Sequence, residues 1–236
     1  MERQTMLCLT KHVLNFRGYC RIKREFKVKK DMDRRDFLKT LAVTGAAMTI
    51  QRIEAMDILT QTLTNTGDNK VDLVAVMGGE PEVMFRRAIT ELGGMKNFIK
   101  PGQKVAIKPN IGWDKVPELA GNTNPKLVAE IVKQCFQAGA KEVTVFDHTC
   151  DDWQKCYKNS GIEAAAKAAG AKVMPAHLES YYRAVSLPKG KKMKSAKVHE
   201  AILNSDVWIN VPILKNHGGA NLTISMKNHM GIVWDR

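Results

Sequence analysis

Three short segments cluster side chains able to bind an ion or move a proton. Lys108-Pro109-Asn110 opens a polar loop that runs to Thr123, Asp147-His148-Thr149-Cys150-Asp151-Asp152 supplies carboxylates, an imidazole and a thiol, and Asn210-Val211-Pro212 leads into Lys215-Asn216-His217-Gly218-Gly219. Lys108, Lys215 and Lys227 can each present an ammonium to a carboxylate or phosphate, while Gly218 and Gly219 would let backbone N–H groups approach the same anion. Taken singly, each lysine is as well explained as a solvated loop residue; taken together, on one edge of a sheet, they read as a site for a small anionic molecule. Asn110, Asn122, Asn210 and Asn228 either orient that ligand or cap loops. Asp147, His148 and His217 are the acid–base candidates.

The middle segment also carries metal-ligand chemistry. His148, Cys150 and Cys156, with Asp147, Asp151 and Asp152 beside them and His217 and His229 elsewhere, are donor types suited to a borderline metal. Their spacing is not diagnostic. Cys150 and Cys156 could equally form a disulfide or remain free thiols, and Asp151-Asp152 could simply cap a helix at Trp153. Cys135, on the apolar face of a helix, is expected to be packing, and His177 and His199 are expected to be ordinary surface or core residues.

Short apolar runs at 71–76, 104–108, 142–146, 171–174 and 206–211 suit strands buried on both faces. The clearest helix between them has Asn124 as N-cap, Pro125 at the first position, and Leu127, Val128, Ile131, Val132, Cys135 and Phe136 on one face before Gly139. Weaker helical patterns cover 81–92 and 162–169. Strand and helix in alternation predict an α/β, Rossmann-like three-layer fold with a mainly parallel sheet. Residues 182–198, with Pro188-Lys189-Gly190-Lys191 at the centre, predict an inserted hairpin. In such a fold the three chemical segments share the carboxyl edge of the sheet, where ligands bind. Met77-Gly78-Gly79-Glu80, after the first strand, lacks the G-x-G-x-x-G spacing, so ordinary dinucleotide binding is unsupported.

The chain has 236 residues and a net charge of +13, which suggests nucleic acid until its distribution is examined. Residues 1–55 carry 13 Lys and Arg against 6 Asp and Glu, so only +6 remains on the other residues. With an aromatic share of 6% and no aromatic interleaving among basic residues, a nucleic-acid partner is not expected. The basic region holds Asp33-Arg34-Arg35-Asp36-Phe37-Leu38-Lys39 followed by the mildly apolar 41–50, which resembles a twin-arginine export signal. That apolar stretch is shorter than the roughly 20 residues a membrane span needs. The resemblance implies export by the twin-arginine translocation machinery, with Arg34 and Arg35 as the signal residues. The product would be periplasmic or anchored by an uncleaved leader. Residues 1–31 precede the signal, so Met32 is either the functional start or part of a long basic region. The expected organisation is a basic extension and signal at 1–55, a linker at 56–70 and an α/β domain at 71–236.

Lys108-Pro109-Asn110, Asn122-Thr123-Asn124-Pro125, Ala138-Gly139-Ala140-Lys141, the 147–156 loop, Asn210-Val211-Pro212 with Lys215, and Met226-Lys227-Asn228 with Gly231 resemble, in order, the signatures of the domain of unknown function 362 family. The resemblance covers 71–236. It implies a bacterial or archaeal exported protein, in some relatives fused to a ferredoxin-like cluster domain, and a chain that is C-terminally incomplete. No C-x₂-C-x₂-C run is present, so an iron–sulfur cluster is not expected in this chain. Two functions fit: a redox or metal-dependent enzyme with an unidentified cofactor, or a non-catalytic binder of a small anion.

Overall fold

The computed structural model describes residues 6–10 and 71–235. Arg34, Arg35, the apolar stretch 41–50 and the linker 56–70 lie outside the described residues. In chain order the elements are β1 (Met6–Thr10), β2 (Leu73–Met77), α1 (Pro81–Glu91), β3 (Lys104–Pro109), α2 (Pro125–Gln137) and β4 (Glu142–Val145). They continue with α3 (Trp153–Asn159), α4 (Ile162–Ala168), β5 (Lys172–Val173), β6 (Tyr182–Ser186), β7 (Ser195–His199) and α5 (Glu200–Leu203). The last are β8 (Val207–Val211), β9 (Lys215–His217), β10 (Asn221–Thr223) and α6 (Ser225–Asn228), followed by a 3₁₀ turn over His229–Ile232.

The central sheet has the order β5-β4-β3-β8, with every pair parallel. Counting only its own strands in chain order, this is the arrangement 3-2-1-4. The chain first winds outward from β3 through β4 to β5, then crosses back to lay β8 on the other side of β3. Between β3 and β8 the winding direction reverses, and the connections leave in opposite directions at the carboxyl ends. Lys108 stands opposite Asn210 in that pair, and Pro109 opposite Val211.

Alternation along β3 decides the layers. Val105 and Ile107 point into a core shared with α1, α2 and α4, whereas Ala106 faces a second cluster with Phe146, Tyr182, Val198 and Ile202. On the first face α2 starts as its sequence dictates: the Asn124 side chain accepts the Lys126 N–H at 2.9 Å, Pro125 occupies the first turn, and Leu127, Val128, Ile131, Val132 and Cys135 are buried. Each such side chain stabilises the fold by about 1.5–3 kcal/mol relative to leaving it in water. Gly139, with φ +99, then turns the chain in the left-handed region, and an added Cβ there would lie 3.0 Å from the Pro101 backbone. On the second face the β6–β7 hairpin forms as expected, closed by the Leu187 N–H to Lys194 carbonyl bond.

Two expectations are corrected. The run at 71–76 does not join the parallel sheet: its strand, β2, pairs antiparallel with β1, in a segment whose sequence showed no strand pattern. Residues 215–219, expected to be a polar loop beyond the last strand, instead belong to a second short hairpin, with Thr223 opposite Lys215 and Asn221 opposite His217.

Candidate functional site

At the carboxyl ends of β3 and β4 lies a buried ion pair. The Lys108 Nζ is 2.7 Å from Asp147 Oδ1, and the two residues are 1% and 3% exposed. Such a pair survives in a low-dielectric interior only if its remaining hydrogen-bonding capacity is filled. Here it is filled. The ammonium also donates to the Pro109 carbonyl (2.7 Å) and Asn228 Oδ1 (3.0 Å), while Asp147 Oδ2 accepts the Ile111 N–H at 2.7 Å. The Tyr157 hydroxyl accepts the Asp147 N–H at 2.7 Å and donates back to its carbonyl at 2.8 Å, fixing the end of β4. Burial pushes the Tyr157 pKa well above its ordinary value, so it remains a neutral strut.

Asn228, at the end of α6, ties this pair to β8. Its Nδ2 donates to the Lys108 carbonyl (3.1 Å) and to Asn210 Oδ1 (2.7 Å), and the Asn210 amide donates to the Ser225 carbonyl (3.1 Å). Asn210 therefore seats α6. The Lys215 Nζ, at the start of β9, donates to Asn110 Oδ1 at 2.9 Å and also to the Gly121 carbonyl. It stands 5.8 Å from the centre of the Trp113 ring. Asn122 orders the intervening loop by accepting the Trp113 N–H (3.1 Å) and donating to its carbonyl (2.7 Å), and Thr123 Oγ1 pins the loop to β8 through the Val211 carbonyl at 2.8 Å.

These contacts frame a cavity of about 340 Å³, within the range of small-molecule sites. Of the residues singled out from sequence, Lys108, Asn110, Asp147, His148, Cys150, Lys215, His217, Lys227 and Asn228 line it. Asn210, Gly218, Gly219 and Cys156 do not. The hairpin-tip glycines are exposed, and the Gly219 N–H is already given to His217 Nδ1 at 3.1 Å, so it is not offered to an anion. Ala220 N–H reaches the same Nδ1 at 3.0 Å, which fits a neutral His217 carrying its proton on Nε2. His148 stacks on Trp234, with ring centres 5.2 Å apart. Burial, and then the charge of Lys108, lower the pKa of His229.

One expectation about the lysines changes. Lys108, grouped with Lys215 and Lys227 as an ammonium to be presented to a ligand, is buried, and Asp147 already neutralises it. Trp113 and Tyr157 were not singled out from sequence, and Gly231 lies where an added Cβ would meet both members of the ion pair. The Gly231 position was legible in the family pattern, but its role was not.

Cys150, Cys156 and His148 do not converge as metal ligands: among the described residues no group of three His, Cys, Asp or Glu side chains is placed to hold a metal ion. Cys150 is exposed, Cys156 is buried on α3, and both are free thiols rather than a disulfide. The nearby Asp152 caps α3 by accepting the Lys155 N–H at 2.9 Å. Burial pushes the Cys156 thiol up to about 11 and Cys135 up to about 12, so neither is nucleophilic near neutrality. Iodoacetamide under native conditions should therefore modify Cys150 among these three and spare the other two. Peptide mass spectrometry checks this; rapid labelling of Cys156 would contradict it.

Parallel strands, a reversal of winding between β3 and β8, and a polar cavity at that point define an α/β protein of Rossmann-like connectivity with a crevice at its switch point. The chain belongs to the family described as Domain of unknown function (DUF362), which matches residues 105–236. Residues 31–50 match the TAT (twin-arginine translocation) pathway signal sequence, a stretch that includes Arg34 and Arg35. Thylakoid-associated protein sll1697 of Synechocystis sp. is 26% identical over 149 residues, covering 63% of this chain and 45% of that protein. The chain thus spans less than half the length of that relative.

Proposed function

We propose that this exported protein binds a small anionic molecule in the crevice between the carboxyl ends of β3 and β8. One observation carries the reading: Lys215 and Lys227 line the same cavity, while the Lys108 and Asp147 charges cancel each other, leaving a net positive wall. His217 adds an imidazole donor, which also supports acid–base chemistry on the bound anion as a second reading. The ion pair and Asn228 act as scaffold.

Calorimetric titration of the folded protein with inorganic phosphate and with acetate tests the proposal. Lys215→Ala or Lys227→Ala should weaken binding by about 1–3 kcal/mol, the usual size of a charge-assisted hydrogen bond. Absence of binding by the wild type would remove the site.

The same titration should depend on pH in a defined direction. Burial lowers the Lys215 pKa below its ordinary 10.5, with Cys150 and Asp147 opposing the shift and Lys227 adding to it. Anion affinity should therefore fall as pH rises through that lowered value, before an exposed lysine would lose its proton. In the window between the lowered value and 10.5 the unfolded chain holds the extra proton, so this group's contribution to fold stability rises with pH while binding is lost. Lys215→Arg should remove this loss of affinity, because a guanidinium stays charged throughout.

The signal supports a site of action beyond the membrane crossed by the twin-arginine machinery. Changing both Arg34 and Arg35 to Lys should hold a leader–reporter fusion in the cytoplasm, since the pathway reads the paired guanidinium groups rather than charge alone. Unchanged export of that variant, scored by fractionation, would count against the signal.

A further inference from the structure

The cavity lining divides by chemistry. Besides its lysines it includes Trp113, Ile213, Ile224 and Met230. The hairpin brings these groups together. Thr223 pairs with Lys215, which places Ile224 directly after the residue opposite that lysine. Thr223 Oγ1 also donates to the Ile213 and Lys215 carbonyls, at 3.0 and 3.3 Å. The second ammonium, on Lys227, lies 3.7 Å from the Met230 sulfur. Each cation thus has an apolar neighbour: Trp113 for Lys215, Met230 for Lys227.

Although they line a cavity, Ile224 is 44% and Met230 41% exposed. Leu222 and Met226, on either side of Ile224, are 55% and 86% exposed. An inorganic anion would satisfy the ammonium groups and leave Ile224 and Met230 in water, and apolar side chains exposed in a polar crevice mark a binding role. Resting on the anion-site reading above, we infer that the ligand is a small anion bearing an alkyl or aryl group. Its charged head lies against Lys215 and Lys227, and its apolar part covers Ile213, Ile224 and Met230.

Calorimetry on the full chain with matched probes tests this: inorganic phosphate against hexyl phosphate, and acetate against hexanoate. Burying two or more methylenes strengthens binding about tenfold or more, so at least one hexyl probe should bind at least tenfold tighter than its short counterpart. Ile224→Asn, at an exposed position, should erase that gain while leaving the short anion's affinity within about twofold; Met230→Gln is the second variant. Binding of phosphate or acetate with no gain from the chain would overturn this inference and leave the anion site standing. Failure of all four probes would remove both. Sedimentation of the protein with phosphatidylglycerol vesicles, lost in Ile224→Asn and unaccompanied by a hexyl gain, would assign the rim to a lipid surface and overturn the inference.

Discussion

Lys108→Ala is expected to destabilise the fold by about 3–5 kcal/mol, far more than loss of a surface lysine. Removing the ammonium strands the Asp147 carboxylate, which is 3% exposed, without a countercharge, and an uncompensated buried charge is among the most costly single changes. The pair itself contributes little net stability compared with an apolar replacement of similar shape. Lys108→Met combined with Asp147→Asn should therefore recover at least half of the loss, the amide still accepting the Ile111 N–H that Asp147 Oδ2 accepts now. Urea denaturation with an unchanged m value measures both effects. A loss under about 1 kcal/mol for Lys108→Ala would mean that water reaches the pair.

Gly231→Ala should be nearly as damaging for a different reason. A Cβ at Gly231 would lie 2.1 Å from Asp147 Oδ1, 2.6 Å from Lys108 Cε and 3.0 Å from Lys108 Nζ. Flexible side-chain ends usually yield to such a clash, but these ends are buried and hydrogen-bonded to each other. The backbone of Gly231 is not in the left-handed region, so the effect is purely steric. Overpacking of this kind costs about 1–3 kcal/mol, and displacement of the pair should also abolish anion binding. Gly218→Ala is the control: nothing lies within 4 Å of its added Cβ. Equal melting temperatures for the two variants would refute the close approach at Gly231.

The features legible in the sequence were those set by local pattern. The Asn124 cap, the Pro125 first turn and the 3–4 spacing of Leu127 to Cys135 give α2 almost residue for residue, because capping and amphipathicity act within a few positions. The apolar runs of β3, β4 and β8 announced a buried parallel sheet, and Lys108 near the end of β3, Asp147 just past β4 and Lys215 on the hairpin beyond β8 line one crevice. Charge state was not legible. Whether Lys108 faces a ligand or a carboxylate depends on a neighbour from another strand, and nothing in its own segment distinguishes the two. β9 and β10 were missed because three-residue strands of Lys-Asn-His and Asn-Leu-Thr carry no alternation long enough to read. The 147–156 loop misled in the opposite sense: it is rich in donor atoms, yet the chain leaves Cys150 exposed at the cavity and buries Cys156 on α3.

The sequence separations within the site bear on when it comes into being. The Ile111–Asp147 bond spans 36 residues, Lys215–Asn110 spans 105 and Lys108–Asn228 spans 120. Closing segments of that length costs chain entropy that only the finished packing repays. The crevice therefore cannot be complete before residues near 228 have docked on strands more than a hundred residues earlier in the chain. A ligand for this crevice would discriminate molecules in which these distant segments have docked from ones in which they have not.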